Sequence, residues 1–280
     1  MEEQYSNNNT FQNNSYYYVI ELPIELRIVS WIVIVICLPL IIPAIYYLYS
    51  LVRHNHVAPI YVINLLISDL IQLCCMAIFL GNLEGVLFFI SDLIHGVGLM
   101  ASVGFMVCIS LERYLLIAWP LWYRFRRTVK VSVVVCVVVW VLALVLILLP
   151  IGPETYAVMI PLPFPVLIFS VVGIFKGLSA AISVSSEEKR RIVGATILVL
   201  LNYTLLFLPY IICTITQDVN MTNPFAFIFF NPLGDLVLYI FMRKGAIDKI
   251  LASVCCCRME TQQQQIIAVN DNNMTTVSSV

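Results

Sequence analysis

"VSVVVCVVVWVLALVLILLPI", residues 131–151, contains one serine and no charged side chain. Coiled as a helix it would be about 30 Å long, the thickness of a bilayer's hydrocarbon core. The rest of the chain repeats the pattern. Apolar runs of membrane-crossing length fall at 29–51, 58–81, 86–118, 131–151, 157–183, 191–216 and 223–242. Of the 280 residues, 61% are hydrophobic and 11% charged, against about 25% charged in a soluble domain. These numbers predict an all-α membrane protein, a bundle of seven transmembrane helices. The fifth run is the most irregular, because "IPLPFP" (160–165) places three prolines near its start. Prolines are tolerated at the beginning of a membrane helix or where neighbours satisfy the freed carbonyls.

Basic residues concentrate on the cytoplasmic side of membrane proteins. With the N-terminus outside, every Lys and Arg except Arg27 falls on the inner side, including Arg53, the cluster from Arg124 to Lys130, Lys189 to Arg191, and Arg243 onward. The outer segments carry Glu2, Glu3, Glu21, Glu25, Glu84, Glu154 and Asp218. The net charge of −1 conceals this asymmetry and gives no sign of a nucleic-acid partner. The polar tail 1–28 has no basic residue ahead of an apolar core and is not read as a cleaved signal peptide. It offers glycosylation sequons at Asn8 and Asn13. None of the nine cysteines lies in an expected outer loop, so no disulfide framework is indicated. Cys255, Cys256 and Cys257 follow a basic amphipathic stretch just below the last span, the setting of palmitoylation onto membrane lipids. Four regions follow: an extracellular tail (1–28), a membrane domain (29–242), a juxtamembrane amphipathic helix with its cysteines (243–257) and a cytoplasmic tail (258–280). The last residues, "TVSSV", suit a PDZ-domain partner that captures a C-terminal carboxylate.

Six motifs in order on these spans carry a family resemblance. Glu112-Arg113-Tyr114 ends the third span, with Pro120-Leu121 beyond it. "NLLISDL" (64–70) holds Asp69, Trp140 lies in the fourth span and Pro165 in the fifth. "FLPY" (207–210) and "DLVLY" (235–239) follow on the sixth and seventh. Together they resemble the rhodopsin-like (class A) G-protein-coupled receptors, nearest in look to the branch of proton-sensing, lysolipid and nucleotide receptors. The resemblance implies a plasma-membrane receptor passing the signal of an extracellular ligand to heterotrimeric G proteins, without enzymatic activity. It assigns Glu112, Arg113, Tyr114, Leu121 and Tyr239 to coupling and activation. It assigns Asp69, Ser102, Asn231 and Asp235 to a polar pocket around a sodium ion.

The departures are as specific as the matches. Ile41 replaces the family's first-helix asparagine, Gly173 the fifth-helix tyrosine, Phe207 the sixth-helix tryptophan and Leu236 the seventh-helix proline. Lys189 stands where many members hold Arg113 with an acid, and Phe88 stands where the outer disulfide begins. A receptor-derived partner that does not signal, or one that is constitutively active, is the alternative. A transporter is a weaker rival, since no paired broken helices or internal repeat appear.

A ligand pocket is expected at the outer end. His95 lies 18 residues before Arg113, about 27 Å along a helix, and Asp92 lies one turn further out on the same face. Phe207, Tyr210, Phe225 and Phe227 complete the expected lining. The competing expectation makes Asp92 a helix cap and gives His95 a neighbouring partner. His95 stands where amine receptors carry an acid, which argues against a biogenic amine, and the scarcity of outer histidines argues against proton sensing.

Overall fold

The computed structural model describes residues 22–53, 60–81, 85–119, 123, 128–149, 161–180, 186–216 and 225–242. They form eight helices: α1 Ile24–Arg53, α2 Ile60–Leu80, α3 Val86–Ala118, α4 Val129–Leu148, α5 Pro163–Ala180, α6 Ser186–Thr216, α7 Phe225–Phe229 and α8 Asn231–Met242. Five helices, α1 to α4 and the Lys189–Cys213 part of α6, are long and apolar enough to cross a membrane. The fifth and seventh runs give shorter apolar helices, Pro163–Leu178 and Asn231–Met242.

Both shortenings have a proline at their origin. α5 starts at Pro163 rather than near 157, because a proline in the first turn sacrifices only an N–H that has no intrahelical acceptor. The seventh run is split after Phe229, since Pro232 cannot donate back to the preceding turn. The chain tightens there, with Phe230 N–H bonding Phe227 O at 3.1 Å and both Leu233 and Gly234 N–H bonding Phe230 O at 3.0 Å. The proline missing at position 236 is thus matched by one a turn earlier.

α3 is the centre of the bundle, packing against α2, α4, α5 and α6. α8 closes onto α1, α2 and α6. Small residues let the helices approach, as is usual where no hydrophobic drive exists between helices in lipid. A Cβ on Gly104 would come within 2.7 Å of Val139 on α4. One on Gly98 would lie 3.1 Å from the Gln72 side chain and 3.2 Å from Ser68 O on α2. α4 sits at the rim: of its residues only Ser132, Cys136 and Ala143 are buried, while large side chains such as Val134, Val137 and Leu142 point outward. Its uniformly apolar sequence follows, because a peripheral helix in lipid needs no polar face.

The fourth-helix tryptophan is tied to the second-helix motif. Trp140 Nε1 donates to Asn64 Oδ1 at 3.1 Å, and Asn64 Nδ2 donates to Ile60 O at 2.9 Å. Phe105 meets the Trp140 ring edge-on at 5.8 Å. The cysteines among the described residues, Cys37, Cys74, Cys75, Cys108, Cys136 and Cys213, are free thiols. Asn8, Asn13, Leu121, residues 243–257 with Cys255, Cys256 and Cys257, and the C-terminal tail lie outside the described residues.

Candidate functional site

Halfway through the bundle, four helices bring polar side chains to one point. Asp69 and Gln72 come from α2, Ser102 from α3, Asn202 from α6, and Asn231 and Asp235 from α8. All but Asn202 are fully buried, and Asn202 is 9% exposed. Ser102 Oγ donates to Asp235 Oδ2 at 2.6 Å, and Asn202 Nδ2 donates to Asp235 Oδ1 at 2.9 Å. Asn231 Nδ2 is shared among Ser102 Oγ at 2.9 Å, Asp235 Oδ2 at 3.3 Å and Gln72 Oε1 at 3.4 Å. Gln72 Nε2 in turn reaches Asp69 Oδ1 at 3.4 Å. The Asp69 and Asp235 carboxyl groups are within hydrogen-bonding reach of each other.

The structure brings Asp69, Ser102, Asn231 and Asp235 together in one hydrogen-bonded cluster. Sequence reasoning missed two members. Gln72 had a signal, standing three residues after Asp69 and therefore on its face. Asn202 is the first residue of "NYT" inside a span, where a sequon has no meaning; its value as a lone amide among aliphatic neighbours was the available clue. Gly234 makes room for it, since a Cβ there would overlap Asn202 Oδ1.

Two oxygens in the cluster, Asp69 Oδ2 and Asn231 Oδ1, have no hydrogen-bond partner among the described residues. Both are acceptors. Two ionised carboxylates facing one another inside a bilayer need a shared proton or a bound cation. Unsatisfied oxygens are what either would occupy.

At the C-terminal end of α3, Tyr123 Oη donates to Glu112 Oε1 at 2.5 Å, and both residues are buried. Nothing in the loop sequence had marked Tyr123. Arg113, half-buried, faces Arg191, Ile192, Ala195 of α6 and Met242 of α8 around a small crevice. Tyr114 turns instead toward α5, where its ring fills the space a Cβ at Gly173 would need and meets Phe169 edge-on at 5.2 Å. The glycine in place of the family's tyrosine is therefore filled from α3. Lys189 does not face the role of an acid: its Nζ donates to Leu178 O at 3.3 Å, near the end of α5. Tyr239 is buried in the main core.

Near the start of α3 a cavity of about 470 Å³ is lined by Asp92, His95, Met100, Tyr210 and Phe229 among others. This is the usual size of a small-molecule site. Asp92 lies beyond the first turn of α3, whose cap position is Gly85, so it is no helix cap. Nor does a neighbour among the described residues satisfy His95, whose buried Nε2 has no partner there. Phe207 is not among the lining residues; it is fully buried and stacked on Tyr203 at 4.6 Å.

The helices thus form an apolar bundle with a cavity at one end, a buried polar cluster at mid-depth and a Glu-Arg-Tyr sequence at the other end. The comparison with known families agrees: residues 40–157 match the model described as 7 transmembrane receptor (rhodopsin family). That segment, from the second half of α1 through α4, is similar to the rhodopsin-like receptors. The matching residues on α6 and α8 lie outside it and are joined to it by the polar cluster.

Proposed function

We propose that this chain is a plasma-membrane G-protein-coupled receptor with seven spans, counting α5 as the fifth and α7 with α8 as the seventh. Its N-terminus is outside, its C-terminus inside, and a ligand in the outer cavity controls coupling at Arg113. The observation that carries this reading is the polar cluster. It connects α2, α3, α6 and α8 directly below the cavity, where a shift of α6 against α8 would have to break it. The test is nucleotide exchange on heterotrimeric G proteins by the purified chain in lipid nanodiscs. Exchange that Arg113→Ala abolishes while the protein still reaches the cell surface supports the reading. Coupling unchanged by that substitution refutes it.

A second reading, a receptor-derived partner that does not signal, draws support from the Asn202–Asp235 bond, which ties α6 to α8. In that case neither the native protein nor Glu112→Gln would promote exchange.

The cluster also suits a sodium ion. Its free atoms are oxygens, the donors a hard cation prefers, and two of them, Asp69 Oδ2 and Asn231 Oδ1, have no other partner. Asp69, Asn231, Ser102 and Asp235 would hold the ion, with Gln72 Oε1 beside them. The ion would supply the positive charge that lets both carboxylates stay ionised in the resting arrangement.

A further inference from the structure

We infer that the α3–α5 seam carries a latch, in which the Tyr114 ring of α3 sits in a glycine notch of α5 and holds α5, and α6 with it, against α3. The latch rests on geometry alone; its effect on coupling rests on the receptor reading. Gly173 and Gly177 are one turn apart on α5 and so lie on one face. A Cβ on Gly173 would overlap Tyr114 Cε2 and lie 2.7 Å from its Cδ2. A Cβ on Gly177 would lie 2.8 Å from Ile117 Cγ2. Two side chains of α3 thus rest on bare backbone of α5. Phe169, one turn before Gly173, meets the Tyr114 ring edge-on at 5.2 Å and closes the notch on that side. The ring gains these contacts only while the two backbones stay close.

The start of α6 is attached to the same seam. Ile192 of α6 packs with Ile117 of α3 and Ile174 of α5 in a small core separate from the main one, with Tyr114 and Leu178 at its edge. Lys189 Nζ donates to Leu178 O, the residue after Gly177, at 3.3 Å. An outward move of α6 must therefore break that bond or carry the end of α5 along. The two seams differ in kind. The bond from Lys189 is charge-assisted and part-buried. The notch is held by dispersion, of which roughly a quarter to a half is lost at a gap of about 1 Å. The α3–α5 seam is thus the one that opens, and departure of Tyr114 from Gly173 opens it. While it is shut, the crevice shared by Arg113, Arg191, Ile192, Ala195 and Met242 is too narrow for a water molecule, so a coupling partner reaches Arg113 only after α6 has moved.

A cross-link tests the seam directly. The Cβ of Ile117 lies 4.0 Å from the place of a Cβ on Gly177, inside the roughly 3.5–4.5 Å that a disulfide spans. Ile117→Cys with Gly177→Cys is prepared in the full chain in nanodiscs and oxidised with diamide, which takes up the two thiol hydrogens. Each single variant controls for pairing with native cysteines. The pair should close, and Gly173→Ala should slow its closure severalfold, because relieving the overlap with the ring takes about 1 Å of separation and carries the two Cβ atoms out of that span. In a Tyr114→Ala background Gly173→Ala should not slow closure, since the ring it would displace is gone. Coupling is then read on one protein in two states. Nucleotide exchange promoted by the reduced pair should fall to the level of G protein alone on oxidation, and reductant should restore it. A pair that does not close, closure unaffected by Gly173→Ala, or slowing that is the same with and without the Tyr114 ring overturns the latch. Full exchange by the oxidised protein overturns its control of coupling. If no variant promotes exchange, the receptor reading fails, while the closure rates still decide the latch.

Discussion

Gly234→Ala adds one methyl group where α8 meets α6. The new Cβ would overlap Asn202 Oδ1 and lie 2.8 Å from its Cγ and 3.0 Å from its Nδ2. The amide cannot turn aside freely, because the same Nδ2 donates to Asp235 Oδ1 at 2.9 Å. If Asn202 leaves, a fully buried carboxylate oxygen loses its donor, a loss of about 1.5–3 kcal/mol for a hydrogen bond to a charged group. If it stays, the helices must part, and overpacking of this kind costs about 1–3 kcal/mol. The better helix propensity of alanine offsets about 1 kcal/mol. The net expectation is a destabilisation of about 1–2 kcal/mol from a single methyl group.

The cause can be isolated by a double-mutant cycle. Asn202→Ala removes all three atoms that the new methyl would meet, so Gly234→Ala should be nearly harmless in that background. The coupling between the two sites should reach about 1–2 kcal/mol, as expected for residues in direct contact. Because unfolding of such proteins is commonly irreversible, the reading is best taken as the rate of thermal inactivation in nanodiscs at a fixed temperature. Additive effects would refute the steric account of Gly234 and with it the placement of Asn202 against Asp235.

Two further outcomes follow from the same geometry. Raising sodium at constant ionic strength should increase the thermal stability of the unliganded protein, and Asp69→Asn should erase the response; equal stabilisation by potassium or choline would instead favour a proton shared by the two carboxyl groups. Tyr123→Phe removes the donor to Glu112 and should raise basal nucleotide exchange in the same direction as Glu112→Gln, so an unchanged basal rate in both would detach this pair from activation.

The polar cluster was legible because its members are oxygen-bearing side chains in runs that otherwise exclude them, and a carboxylate in the bilayer has few reasons to be there. Asp69, Ser102, Asn231 and Asp235 could each be noticed alone. That Asn202 joins them could not, because it depends on which face of α6 turns toward α8, and α6 is apolar nearly all round. The same ambiguity explains Phe207. A uniformly apolar helix gives no rotational signal, so a residue one turn from Tyr210 on paper lies behind it, stacked on Tyr203. Helix ends were legible where proline fixed them in principle, yet the sequence around "IPLPFP" offered three choices and only the last two prolines fall inside α5. Tyr123 had no signal at all, since a tyrosine in a polar loop is unremarkable until its hydroxyl is found on a buried glutamate.

The departures from the family pattern acquire a common physical sense once their contacts are known. Lys189, in place of an acid that would hold Arg113, ties the start of α6 to Leu178 O on α5. Gly173, in place of a tyrosine, receives Tyr114 and so ties α3 to α5. Asn202 ties the middle of α6 to Asp235 on α8. The sixth helix is thus held both at its start, by Lys189, and in the core, by Asn202, where the bond cannot be exchanged for one to solvent. On the receptor reading, an outward swing of α6 that separates Asn202 from Asp235 sacrifices about 1.5–3 kcal/mol, which lowers the population of the open state by roughly ten- to a hundredfold. A ligand can move that balance only by as much as it prefers the open form over the resting one. The outer cavity must therefore change shape around a bound molecule by an energy of that size, and Tyr210, on α6 one helical stretch above Asn202 and in the cavity wall, is the lining residue through which that difference would be felt.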